Sequence, residues 1–184
     1  GIEQATLAGQ AIKGISLSRV YSSPLQRAAD TTRTILKEIK SSQEIIFDNR
    51  LLEIDLAEWS GLTKDEIKNK YPKEFATWGK NPKELLIKRE SGQAFYPLKE
   101  LFNQAEDFLQ MILSSYNKNI EENILIIGHN AILRCLILKI LKLDLNNFIK
   151  FQIDNTSISL FKINKDFNHQ INSQIESLNN ISHL

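Results

Sequence analysis

The chain has one cysteine, no apolar run near the length of a membrane span, and no surplus of charge of either sign. Cys135 cannot close an internal disulfide, and its place on the apolar side of a helical pattern marks it as a buried thiol. A bilayer-spanning helix needs ~20 consecutive apolar residues, and no segment approaches that. No signal-peptide pattern opens the chain, so a cytoplasmic protein is expected. Lys plus Arg number 23 against 22 Asp plus Glu, a formal net charge of +1. That balance offers no field for wrapping nucleic acid or coating an anionic membrane, so any anion must be recognised locally. Internal repeats and low-complexity linkers are also missing, and 184 residues suit one domain with a substantial core rather than two. Apolar residues at 42% and charged residues at 24% are those of an ordinary globular protein and exclude wholesale disorder.

What is present is organised around Ile124-Leu125-Ile126-Ile127-Gly128-His129-Asn130-Ala131-Ile132-Leu133-Arg134. Four consecutive apolar residues behind a polar Glu121-Glu122-Asn123 read as a central strand covered on both faces. Ile132, Leu133, Leu136, Ile137, Ile140 and Leu141 then fall on one side of a helix. This places His129 at the carboxyl end of a strand, the edge where open α/β sheets bind ligands and where the next helix offers free N–H groups to an anion. Phosphate is the guest that fits best. A lone histidine also closes turns as a hydrogen-bonded residue, so other stretches must decide.

In chain order, residues 2–13 read as a helix stopped by Gly14, and residues 19–23 as a short strand. Pro24 opens a second helix through Ile39 as a favoured first-turn residue. Ser22 and Ser23 lie at this second strand-to-helix junction, with Arg27 in the first turn, where a guanidinium can reach a bound oxyanion. Residues 44–47 form a further strand, and residues 49–63 an ordered loop rich in carboxylates. Thr63 and Glu66 fit a capping box for a helix that ends before Tyr71-Pro72. A short helix follows near residues 75–78, then an irregular stretch, 81–97, with a turn at Ser91-Gly92-Gln93 and the character of a lid. A helix is expected over 98–116, strands over 148–153, 157–163 and 170–175, and a polar tail after them.

Taken together, these pieces resemble the histidine phosphatase superfamily, also called phosphoglycerate mutase-like. Tyr21-Ser22-Ser23-Pro24-Leu25-Gln26-Arg27-Ala28 followed by Thr31-Thr32 resembles its SSPLxRAxxT signature. Arg50-Leu51-Leu52-Glu53 through Trp59-Ser60-Gly61-Leu62-Thr63 resembles its acidic loop, and Gly128-His129 with Arg134 its second-histidine motif. Asn155-Thr156-Ser157-Ile158-Ser159 and Asn179-Asn180-Ile181-Ser182-His183-Leu184 resemble its NxSI strand and its closing NDTSHL. Departures accompany the match. Ala57 stands where the family has Gly, Ser60 where Glu is common, and Gly92-Gln93-Ala94 where the family has GES. Gly1-Ile2-Glu3-Gln4-Ala5 resembles the GxxQA helix that in the family follows a first strand and an Arg-His-Gly motif, neither of which occurs within residues 1–184. His169 and His183 lie too far towards the carboxyl terminus to match that motif. The expectation is a single domain over 1–184 truncated at its amino terminus, most like the first half of cyanobacterial proteins carrying two such domains in tandem.

The resemblance implies an α/β three-layer sandwich, a mostly parallel central sheet with helices on both faces. It also implies a metal-independent phosphomonoester hydrolase that uses no cofactor. The substrate would be a small phosphorylated metabolite, with inorganic phosphate as product and no nucleic acid or membrane partner. The family's nucleophilic histidine forms a phosphohistidine, dividing the transfer into two steps. Arg27 would fork two phosphate oxygens, and His129 would bind another as an imidazolium. Ser23 and Asn130 would donate to the phosphate, and Glu53 would be the general acid, with Asp55 and Glu58 as rivals. Trp59, Trp78 and Phe95 serve packing more readily than a substrate pocket. Two alternatives stay open: a catalytically silent phosphate-binding or regulatory domain, and a mutase, for which Lys83, Lys88 and Arg89 supply some positive charge near the turn.

Overall fold

The computed structural model describes residues 1–115, 117, 120–165 and 171–184. Its elements are α1 (Ile2–Ala11), β1 (Arg19–Ser22), α2 (Gln26–Glu38), β2 (Ile45–Phe47), α3 (Lys64–Lys70), α4 (Pro72–Lys80), β3 (Ile87–Lys88), β4 (Ala94–Phe95), α5 (Pro97–Ser114), β5 (Ile124–Ile127), α6 (Asn130–Ile140), β6 (Ile158–Lys165) and β7 (Ile171–Asn180). Local chemistry sets many of these bounds. Gly14 takes φ +95° just past α1, as a helix stop requires. Thr63 and Glu66 form both halves of the capping box that starts α3. Prolines open α4 and α5 in their first turns.

Side-chain alternation along β5 builds the three layers. Ile124 and Ile126 pack into the larger core with Leu101, Phe108 and Leu109 of α5 and Ile132 and Leu136 of α6. Leu125 and Ile127 point the other way, into a smaller core with Ala8 of α1 and Ile35 of α2. A period of two thus meets a helix pair on each face. The sheet order is β2-β1-β5, all parallel. Tyr21 of β1 meets Phe108 edge-to-face at 5.5 Å in the larger core. A third cluster, with Trp59, Leu85, Ile87 and Phe95 buried, binds the acidic loop to the β3–β4 hairpin and to Ile67, Tyr71 and Trp78 of the two short helices. Among the described residues, no helix is long and apolar enough to cross a membrane.

Three expectations need correction. Among the described residues β5 lies at an edge of the sheet rather than inside it, pairing with β1 alone, and all four of its residues are half-buried. Residues 148–153 are not a strand, because Asp144 accepts from Asn146 N at 2.7 Å and starts a 3-10 helix over Leu145–Lys150. A side-chain cap outweighed a weak alternation. The polar end is no tail, since β7 runs to Asn180 against β6, with Phe161 paired to Ile175 and Lys162 to Gln174. Its hydrogen-bonding partner, invisible in a polar sequence, makes it a strand. The helix end expected at Tyr116, the strand start expected at Gln170 and His169 lie outside the described residues.

Candidate active site

The parallel sheet delivers two strand-to-helix junctions to one edge. Ser23 N donates to Ile127 O at 2.9 Å, stitching the end of β1 to the end of β5. Ser22, Ser23 and Thr32 are fully buried and satisfy one another and the backbone, as buried polar groups must. Thr32 Oγ1 lies 2.8 Å from the Ala28 carbonyl and 2.9 Å from Ser22 Oγ, and Ser22 Oγ donates to the Ser23 carbonyl. This ladder fixes the turn that carries Arg27 into the first turn of α2.

The second junction carries His129. A Cβ on Gly128 would lie 3.3 Å from Ile132 Cγ2 and 3.4 Å from Leu133, so glycine lets the chain turn tightly from β5 into α6. His129 is buried at 7% exposure. Its Nε2 is 2.8 Å from Ser23 Oγ, and Arg27 Nε donates to its Nδ1 at 3.2 Å. Residues 23, 27 and 129, separate in sequence, are therefore in direct contact. Burial, reinforced by the Arg27 charge, pushes the imidazole down to about 4. The expected imidazolium is thus not the state this arrangement favours, because Arg27 occupies Nδ1 as a donor and, among the described residues, no carboxylate hydrogen-bonds the ring.

Glu53 is held on a rigid backbone. Arg50 bonds both carboxylate oxygens of Asp48 at 2.6 and 2.9 Å, a contact that holds Asp48 below the usual carboxylate range. Gln104 of α5 donates to the carbonyls of Arg50 and Leu52, and Leu51 is fully buried. The Glu53 carboxylate then accepts from Ala131 N at 3.1 Å and from its own neighbour Ile54 N at 3.0 Å. It thereby sits at the amino terminus of α6. Its rivals are engaged elsewhere on the surface. Asp55 accepts from Ala57 N at 2.8 Å and lies 4.0 Å from Arg89, while Glu58 accepts from Tyr71 Oη at 2.8 Å. Trp59, Trp78 and Phe95 belong to apolar clusters.

Asn130 opens α6 next to His129 but spends its side chain away from Arg27 and His129. Its Nδ2 donates to Ile153 O at 2.7 Å and its Oδ1 faces Arg134. The sequence reading missed the role of Arg134 in fixing this helix. Its guanidinium donates to the Phe148 carbonyl and stacks 3.8 Å over the Phe148 ring. It also missed the Ala131 N–H as the partner of Glu53. An arginine one turn into a helix beside a Phe-rich segment was the available signal for the first; a backbone donor leaves none. One guanidinium, one imidazole, one buried hydroxyl and one carboxylate thus converge at the carboxyl edge of the sheet. That set can grip a tetrahedral anion and exchange a proton beside it.

Comparison with known proteins gives the family and the fold. The chain is 29% identical over 160 residues to phosphoserine phosphatase 1 of Hydrogenobacter thermophilus, covering 87% of this chain and 71% of that protein. It is 30% identical over 160 residues to a probable 2-carboxy-D-arabinitol-1-phosphatase of Arabidopsis thaliana, covering 87% of this chain but only 31% of that protein. The solved structure of Bacillus stearothermophilus YhfR superposes with a TM-score of 0.83 at 22% identity, covering 100% of this chain and 84% of that one. Residues 1–174 match the family model described as the histidine phosphatase superfamily (branch 1). By fold, motif order and family match, the chain belongs to the histidine phosphatase superfamily.

Proposed function

We propose that residues 1–184 form the phosphate-binding and acid–base part of a metal-independent phosphomonoester hydrolase for a small phosphorylated metabolite. The contact of Arg27 with His129, and of His129 with Ser23, carries this reading. A phosphate monoester hydrolyses extremely slowly unaided, so its oxygens must be neutralised and its leaving alkoxide protonated. Arg27, His129 and Ser23 would hold the phosphoryl oxygens. A histidine nitrogen forms the N–P bond as the P–O bond to the alcohol breaks, and Glu53 gives its proton to the departing oxygen. Glu53 then takes a proton from the water that cleaves the N–P bond and releases inorganic phosphate. Asn130 would contribute its backbone N–H.

The nucleophile in this proposal lies on a strand outside residues 1–184, preceding α1. Two open edges support a place for it. β5 and β6 both feed the larger core, through Ile124, Ile126, Phe161 and Ile163, and both border the smaller one, through Leu125, Ile127 and Ile158. Among the described residues, they share no backbone hydrogen bond. A strand between them would complete the sheet. A tandem second phosphatase domain in the natural chain is part of the same proposal.

A catalytically silent phosphate-binding domain is the second reading, favoured by the placement of His183, whose Nε2 is committed to the Thr156 carbonyl at 3.1 Å. Assay of the natural chain, with whatever precedes Gly1, on a panel of sugar phosphates, phosphoserine and an aryl phosphate separates the two. Phosphate release that falls ~10²-fold or more in Glu53→Gln supports the hydrolase. No release from any of them, with inorganic phosphate still bound, leaves the silent domain. Transfer of the phosphoryl group to a second acceptor alcohol in place of water identifies a mutase.

A further inference from the structure

Arg134 is a half-buried cation among neutral partners. Its guanidinium donates to the Phe148 carbonyl and to Asn130 Oδ1 at 3.5 Å, and lies 3.8 Å over the Phe148 ring and 5.6 Å from that of Phe151. Its Nε is buried without a partner among the described residues, and burial pushes the group below the usual arginine range. An apolar side chain would fill such a place at lower cost. What the guanidinium supplies there is geometry.

Two chains of contact meet at Phe148. On one side, the segment 148–153 is clamped to the opening turns of α6 at both its ends, by Arg134 on the Phe148 carbonyl and by Asn130 Nδ2 on the Ile153 carbonyl at 2.7 Å. That clamp orients the amino terminus of α6, whose Ala131 N–H meets the Glu53 carboxylate at 3.1 Å. On the other side, the Phe148 ring meets Trp78 edge-to-face at 6.4 Å, and Trp78 meets Trp59 at 6.5 Å. Trp59 is buried in the loop that carries Glu53, and Trp78 packs against both the larger core and the third cluster. Donor and acceptor of the Ala131–Glu53 hydrogen bond are therefore both referred to Phe148, and Arg134 holds its ring and its carbonyl.

We propose that Arg134 is a positioning residue for Glu53, fixing through Phe148 both the helix end and the loop between which that carboxylate is held. This rests on the reading of Glu53 as the general acid. The consequence is selective: an alkoxide needs a proton as its P–O bond breaks, whereas a nitrophenolate departs as the anion, so a misplaced acid is felt by the first and not by the second.

The natural chain, with whatever precedes Gly1, is assayed on para-nitrophenyl phosphate and on whichever alkyl ester, sugar phosphate or phosphoserine, it cleaves fastest. Arg134→Met is expected to lower kcat on the alkyl ester about tenfold or more with KM little changed, and to leave the nitrophenyl ester nearly unaffected. In a Glu53→Gln background the same substitution costs nothing further on the alkyl ester, because the group it positions is gone. Amide exchange needs no turnover: the Ala131 N–H is expected to exchange on the order of tenfold faster in Arg134→Met, with the last turn of α6 unchanged. If Arg134→Met does not fold, Arg134→Lys, which keeps a cation but lacks the fork that joins the carbonyl to Asn130, shows the same selectivity in smaller degree. Equal loss on both esters, or an Ala131 amide that exchanges as before, overturns the inference and leaves the hydrolase standing. Hydrolysis of no ester by the unaltered chain removes the hydrolase reading, and the Ala131 amide then decides the positioning role alone.

Discussion

His129 shows how one buried side chain carries a pH dependence into the stability of the fold. Its imidazole is pushed from 6.5 to about 4 by burial and by Arg27. As pH falls, the unfolded chain takes the proton first, so stability is full above about 6.5 and drains away as pH drops towards 4. The loss is on the order of 3 kcal/mol at most. Chemical denaturation at neutral and mildly acidic pH should show it, and His129→Gln should lose less stability over the same window; equal losses in both proteins count against the shift. Ala57 makes a second case at this scale. Its φ is +45°, a left-handed conformation that costs an L-residue about 1–2 kcal/mol. Ala57→Gly relieves that strain but loosens the unfolded chain by about 0.4–1 kcal/mol. A net gain of roughly 0.5–1 kcal/mol in a denaturant melt is expected. The departure from the family's glycine is thus visible as strain, and only the backbone angle revealed its sign. At this scale Arg27, Glu53 and His129 were legible as motif positions. The hydrogen bonds that set their protonation were not, because Arg27 and His129 are 102 residues apart.

Among the elements, α3 depends most on its own sequence. It buries no residue completely and starts on a full capping box, Thr63 with Glu66. Thr63→Ala should cost about 1 kcal/mol, read most directly as faster amide exchange within α3. Unchanged exchange there would show that packing of Ile67, not the cap, holds the helix. α6 is the opposite case. Residues on all its sides are buried, Cys135 among them with its thiol pushed up to about 12 by burial. Its amino terminus is anchored by Asn130 to Ile153 and by Arg134 to Phe148. The capping box announced α3 and apolar spacing announced α6, but neither kind of signal showed the 3-10 turn over Leu145–Lys150 or the length of β7. Those were decided by one capping aspartate and by a cross-strand partner.

The whole molecule is held by the larger core, where α5 and α6 cover one face of the sheet. Phe108 is fully buried there against Tyr21. Phe108→Ala should cost about 3–5 kcal/mol, and thermal unfolding followed by tryptophan fluorescence and by circular dichroism should shift together. A shift confined to one signal would show that the cluster around Trp59 melts as a separate unit. By itself, the sequence determined the α/β class, the two strand-to-helix junctions and the residue types that can grip a phosphate, because periodicity, caps and short motifs are local. The tertiary structure alone decided that β5 pairs with β1 alone among the described residues, that Arg27 sits on Nδ1 of His129, and that Glu53 rests on the amino terminus of α6. Each of those depends on which distant segments are neighbours, and burial and hydrogen bonding between them set the charge of the site.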